Sequence, residues 1–361
     1  MDRVSVTGRG WRPPIRRPRR DITASRFGPQ ASNHRNVRTP IPVSDRPFVA
    51  TIVIAAFNAE ATIGAALASA LAQTVPVEIV VVDDASKDAT AHIVEAAKDR
   101  PNLRLLRQDR NAGPAAARNR AIEHSTAPWI AVLDADDIME PDRIAQLIAR
   151  AEAEGLDFLA DDIEKGHPDD DPGSRTRLWS DTPIGLIPID ATTFIRANLS
   201  SGRGERREMG FLKPVMRRAF LDRHALRYGP LRLGEDYDLY ARALILGARF
   251  GLCDPCGYLA IVHDDSLSGA HPTWVHADLM AADDRMLAMP GLTKETRRAL
   301  RDHRLEHHKK WVWRRMIDSV RERRPIAALG CFHAPMPVAF DLSRKLGAEG
   351  LQRLGRRFRS D

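Results

Sequence analysis

The segment Val132-Leu133-Asp134-Ala135-Asp136-Asp137 puts two carboxylates at i and i+2, directly after an apolar stretch. On a tight turn such a pair can converge on one hard cation. Oxygen ligands select Mg²⁺ or Mn²⁺ over Zn²⁺, and Mg²⁺ is commonly held by one or two carboxylates plus substrate phosphates. The chemistry implied is the departure of a diphosphate, whose growing charge a divalent ion offsets. A polar turn capping the helix at Pro141 is the competing explanation, and the strand ahead of the pair weighs against it. A second acidic group, Glu235-Asp236-Tyr237-Asp238, opens a helical stretch, where the helix dipole favours ionised carboxylates. Displacement at a carbon bearing a leaving diphosphate needs a base for the incoming hydroxyl, placed on the opposite face. Asp236 is the candidate base, with simple helix capping as the alternative.

These residues need a scaffold, and the sequence supplies a regular one. Phe48 to Ala56 is β-branched and nearly continuous, the pattern of a strand buried on both faces. Residues 59–73 read as an alanine-rich helix. Strands follow at 78–82, 103–107 and 129–133, separated by helices at 90–98 and 115–124. This alternation predicts an α/β fold with a parallel sheet and right-handed crossovers. Ligands of such sheets lie beyond the carboxyl ends of the strands, where Asn58, Asp83, Asp84, Asp134, Asp136 and Asp137 fall. Further helices are expected at 141–154, 235–247 and through most of 273–324. A short strand is expected at 158–160 and a polar loop at 161–180.

Five segments occur in a telling order: Ala56-Phe57-Asn58, Val82 to Thr90, Gly113 to Asn119, Leu133 to Asp137 and Gly234 to Asp238. Together they resemble the inverting, nucleotide-sugar-dependent glycosyltransferases of family two over about residues 48–270. The resemblance implies the GT-A fold, a Rossmann-like, mostly parallel central sheet flanked by helices. The run Arg207 to Pro214 narrows the likeness to bacterial exopolysaccharide glucosyltransferases of the succinoglycan type. It also implies roles. Ala55, Phe57 and Asn58 match the first nucleotide-contacting loop, with Phe57 where the family often has Tyr. Asp84, beside Asp83, matches the acid that contacts the uracil ring. Asp136 matches the metal ligand, Asp134 the ribose or metal site, and Asp236 the catalytic base. His263, after the apolar stretch 258–262, matches a residue that reaches metal or diphosphate in related enzymes; a structural role is the alternative. Arg118 either meets the donor phosphates or pairs with the acids. Glu235, Asp161 and Asp162 are candidates for acceptor hydroxyls, although a solvated loop equally explains the last two. The implied partners are a UDP-glucose donor, a Mg²⁺ or Mn²⁺ cofactor and a lipid-linked saccharide acceptor.

Charge divides the 361 residues unevenly. Residues 1–47 carry eleven Arg against three Asp, and residues 294–361 carry eighteen Lys and Arg against eight acids. The net +7 of the whole chain therefore leaves 48–293 at −11. An acidic body is a poor nucleic-acid surface, so no specific nucleic acid is expected. The organisation expected is a disordered basic arm (1–47), a catalytic domain (48–270) and a helical basic extension (271–361). His307 to Ile317 is basic and Trp-bearing, a composition that suits an anionic membrane surface or a helix packing its Trp residues against the catalytic domain with its charges solvated. No run reaches the length of a membrane span. Three cysteines suit a reducing cytosol, and the single Cys253-Asp254-Pro255-Cys256 reads as a turn. No secretory signal is expected, so the location expected is cytoplasmic, peripheral on the inner membrane face.

Other enzyme classes fit less well. The first strand is followed by neither G-x-G-x-x-G nor a P-loop. A sugar-phosphate nucleotidyltransferase shares the sheet type but would carry a Gly- and Arg-bearing loop there. A non-catalytic polyanion binder using the basic ends is the alternative from another class.

Overall fold

In a computed structural model, residues 47–97, 99–200, 208–262 and 272–357 are described. The first β-branched run forms β1 (Ala50–Ala56), in which only Ala55 is more than marginally exposed. It pairs in parallel with β2 (Val77–Asp83) on one side and β4 (Trp129–Val132) on the other, and β3 (Leu103–Arg107) extends beyond β2. The crossovers carry α1 (Ile63–Leu71), α2 (Thr90–Glu95) and α3 (Pro114–Glu123). α1 begins four residues later than its alanine pattern predicts. The backbone N–H groups of Ala59 and Glu60 donate instead to Thr90 and Asp88, so the loops after β1 and β2 hold residues 59–62 in a turn. α3 begins where Gly113 takes φ +89 and Pro114 occupies the first turn, a position that needs no N–H.

The second half departs from simple alternation. After β5 (Ile138–Met139), α4 (Arg143–Ala153) and β6 (Phe158–Asp161) come two short strands, β7 (Glu164–Gly166) and β8 (Thr176–Arg177), where a polar loop is expected. Next are β9 (Leu186–Ile189), α5 (Ala191–Ala197), β10 (Val215–Arg217), α6 (Arg218–Arg223), α7 (Glu235–Ile245), β11 (Phe250–Cys253) and β12 (Tyr258–Ile261). The main sheet runs β3-β2-β1-β4-β10-β6-β11-β9. It is mostly parallel, with β10 antiparallel between β4 and β6 and β9 antiparallel at the edge. A smaller sheet, β5-β12-β7-β8, lies after the turn that bears Asp134 and Asp136. β10 is three residues long, too short for a periodic signal, and this is why it escapes detection in the sequence.

Arg143 ties these parts together from a fully buried position. Its guanidinium donates to Asp161 at 2.6 and 3.1 Å and to the Lys213 carbonyl at 2.6 Å, and it lies 4.9 Å from the Tyr258 ring. Asp161 also accepts from the N–H groups of Cys256 and Tyr258. One ion pair therefore joins α4, β6, the segment leading into β10 and the start of β12.

The C-terminal helices α8 (Thr273–Leu287) and α9 (Lys294–Arg321) join the main core through Val275, Leu279, Met286, Ala299 and Leu300. The far half of α9 builds a second cluster with α10 (Pro325–Gly330) and α11 (Met336–Arg357): Val312, Met316, Cys331, Val338 and Leu342. Trp311 and Trp313 are partly buried against it. The Trp-bearing stretch of α9 is thus an inward-packing face, because α10 and α11 give it apolar surface to cover. Among the described residues no helix is long and apolar enough to cross a membrane.

Arg143→Met leaves Asp161 buried without its cation. The expected loss is about 3–5 kcal/mol of unfolding free energy, measured by urea denaturation.

Candidate active site

The ends of β1 and β2 form one laced surface. The Asn58 N–H donates to Ser86 Oγ at 2.9 Å, and its side-chain oxygen accepts from the Lys87 N–H at 2.9 Å. Asn58 and Ala85 both hold positive φ, 48° and 62°. Strain of that kind in non-glycine residues persists only where surrounding bonds over-determine it, as in ligand-holding loops. Phe57 presents an exposed ring at this edge, and Ala55 is half-buried. Asp83 accepts from the Ser86 N–H. Asp84 is buried, and its two oxygens accept from Gln108 and from the N–H groups of Ala112 and Gly113. It therefore shapes the loop that leads into α3 and its Arg118.

From α3, Arg118 projects into a buried ion cluster. Its guanidinium donates to Asp134 at 2.6 Å, Glu235 at 2.7 Å and Asp236 at 3.2 Å. Lys213, just before β10, completes it: Nζ lies 3.0 Å from Asp134 Oδ2 and 2.8 Å from Asp236 Oδ2. Two cations thus bind three carboxylates drawn from the turn after β4 and the first turn of α7. Gly234 ahead of α7 takes φ +79, and a Cβ there would sit 2.8 Å from Leu279 of α8, so the helix start is pressed onto its neighbour. Burial opposes ionisation of Asp134, but Lys213 and Arg118 overcome it and hold the carboxyl down at about 2. Burial likewise opposes the Lys213 ammonium, yet Asp134 and Asp236 raise it above the usual lysine range. Burial raises Glu235, against the pull of Arg118. Tyr240, one turn along α7, donates to Asp236 at 3.4 Å.

Asp136 is exposed on the turn, whereas Asp134 has both oxygens engaged by cations. Asp137 points inward and accepts from the Tyr258 hydroxyl at 2.8 Å and the Ile261 N–H at 3.0 Å. Burial, then Asp134 and Asp136, push its carboxyl up to about 7. Among the described residues no three His, Cys, Asp or Glu side chains are grouped to hold a metal. Carboxylate oxygens are the donor type that Mg²⁺ or Mn²⁺ takes, so the chemistry of this pair is compatible with either ion.

Two expected acceptor contacts are corrected. Asp161 is wholly buried in the Arg143 pair, and Asp162 is buried with its oxygens accepting from the N–H groups of Trp179 and Ser180. Both brace backbone, because β6 and the smaller sheet enclose them. His263 lies outside the described residues. The residue missed in the sequence is Lys213. Its signal was a lone lysine in Phe211-Leu212-Lys213-Pro214-Val215-Met216, since lysine is seldom fully buried unless paired.

Comparison with known proteins adds an independent view. Residues 51–220 match the model of Glycosyl transferase family 2. The succinoglycan biosynthesis protein ExoU of Rhizobium meliloti (strain 1021) is 44% identical over 274 residues, 75% of this chain and 79% of its own length. The Escherichia coli UDP-Glc:alpha-D-GlcNAc-diphosphoundecaprenol beta-1,3-glucosyltransferase WfaP is 37% identical over 30% of this chain and 43% of its own. Among solved structures, S. aureus TarS 1-349 in complex with UDP superposes with a TM-score of 0.59 at 19% identity, covering 84% of this chain and 91% of that one. That last likeness concerns the fold.

Lys213→Met leaves Asp134 and Asp236 sharing a single cation of the cluster, Arg118. Unfolding free energy is expected to fall by about 3–5 kcal/mol, with most of it restored in Lys213→Arg; urea midpoints across the three proteins check this.

Proposed function

The chain belongs to glycosyl transferase family 2 and is a glycosyltransferase of GT-A type, and on that premise we propose that it moves glucose from UDP-glucose to a hydroxyl of a lipid-linked saccharide in exopolysaccharide synthesis. The observation that carries this reading is the reach of one ammonium. Lys213 contacts Asp134 at 3.0 Å and Asp236 at 2.8 Å, so the turn assigned to the leaving group and the helix assigned to the base meet at one side chain. The exopolysaccharide role is supported by the similarity to ExoU, and the donor and lipid diphosphate by the similarity to WfaP, whose name states that activity.

In this reading Phe57, Asn58, Asp83 and Asp84 frame the nucleoside, with the Phe57 ring as the stacking surface. Asp136, with Asp134 behind it, would hold the divalent cation, which when bound offsets charge on the leaving diphosphate. The acceptor oxygen attacks the anomeric carbon as the carbon–oxygen bond to the diphosphate breaks, and Asp236 takes the hydroxyl proton. Inversion of an α-linked donor yields a β-linked product. Arg118 and Lys213 hold the Asp236 carboxylate in position through ion pairs at 3.2 and 2.8 Å. Glu235 shares Arg118 and stands at the acceptor side. A peripheral position on the inner membrane face would suit such an acceptor.

Asp236→Asn is expected to keep UDP binding and lose transfer by about 10²–10⁴-fold, read by product formation beside a UDP titration. Near-normal turnover would remove Asp236 from the mechanism. UDP with Mn²⁺ is expected to raise the melting temperature, and chelator or Asp136→Asn to abolish the rise. A shift produced only by DNA would favour a polyanion binder.

A further inference from the structure

The region where α9 ends and α10 and α11 begin has an unusual surface. Val320 (63% exposed), Ile326 (85%), Leu329 (66%), Phe332 (41%), Met336 (82%) and Phe340 (72%) all face solvent within 21 residues. Elsewhere in the described chain the exposed large apolar side chains are Phe57, Phe211, Val262 and Trp274. Isolated exposed apolar residues are ordinary, but a concentration of this kind marks an interaction site.

The placement on each helix is regular. Ile326 and Leu329 are three apart on α10, and Met336 and Phe340 are four apart on α11. The opposite side of α11 carries Val338 and Leu342, both buried in the second core. α11 is therefore anchored by one face and presents the other outward. Arg344, four residues beyond Phe340 and 67% exposed in its side chain, continues the outer face. Arg321, Arg323 and Arg324 are exposed at the α9–α10 junction. Between 320 and 345 five Arg and Lys residues accompany two acids.

We propose that this α9–α11 corner is a docking surface for an anionic lipid bilayer, with the apolar residues entering the interface and the arginines meeting lipid phosphates. Charge complementarity selects this occupant. The exposed apolar side chains from Ile326 to Phe340 are flanked by exposed Arg321, Arg323 and Arg324 on one side and Arg344 on the other, an apolar surface bordered by cations that suits interfacial binding. Anionic headgroups attract such arginines at short range, and salt screens the attraction. The surface gives the enzyme a way to meet a lipid-borne acceptor, and in that purpose it rests on the proposed reaction.

The test is flotation of the full chain with vesicles of phosphatidylcholine, with and without phosphatidylglycerol, in the absence of donor and acceptor. Vesicle binding and glycosyl transfer can then fail separately. Binding is expected only with phosphatidylglycerol, to weaken with salt, and to fall about tenfold or more in Leu329→Glu/Phe340→Glu. Both side chains are exposed, and an unchanged melting temperature verifies the fold. Arg321→Glu/Arg324→Glu should weaken binding at low salt and converge with the unmodified chain at high salt. Equal binding by Leu329→Glu/Phe340→Glu and the unmodified chain would overturn the proposal, because the basic arm at 1–47 would then account for it. Absence of binding, or a dimer that the same double substitution dissociates, would also overturn it and assign the face to no lipid or to a second copy.

Discussion

One buried ammonium between two carboxylates sets the geometry on which the proposed site depends. Asp134 arrives from the end of a parallel strand and Asp236 from the start of a helix more than a hundred residues later. Lys213 bonds to both, and Arg118 bonds to both again from a third direction. Buried charges are tolerated only when every partner is present, so such a cluster tolerates little displacement. It therefore does mechanistic work as a clamp: the proposed base and the proposed leaving-group turn are held at one separation.

The clamp is itself supported from outside. Arg143 fixes the backbone of Lys213 through its carbonyl and fixes β6 through Asp161. Asp84 fixes the loop ahead of α3, which sets where Arg118 emerges. Tyr258 and Ile261 of β12 bond to Asp137 and so pin the turn carrying Asp134 and Asp136. Beneath α7, Tyr237 donates to Asp283 at 2.9 Å, and Asp283 pairs with His303 at 2.8 Å. The C-terminal helices thus reach the residue next to Asp236, joining the extension to the site through hydrogen bonds as well as apolar packing.

The parts legible in the sequence share a physical property: their signal is local. β1, β2 and β4 are nearly continuous apolar runs, and the acids at their ends sit where a parallel sheet binds ligands, so much of the first half could be read residue by residue. Where pairing is non-local, local pattern says little. β10 has three residues and joins the sheet antiparallel; β7 and β8 form inside what reads as a polar loop. The acids at 161 and 162 look solvated in sequence and are buried in fact, since the strands that cover them come from residues 164–189 and 250–261.

The sequence by itself determined the α/β class, the order of the motifs and the two acidic groups with chemistry to offer, because periodicity and strand-end position are written in consecutive residues. Tertiary structure alone decided which charges meet. Lys213 became a partner of Asp134 and Asp236 only when β10 inserted between β4 and β6, and the tryptophans of α9 turned inward only when α10 and α11 folded against them. Electrostatic pairing and burial are functions of distance in space, and a chain carries no local record of the neighbours it will acquire.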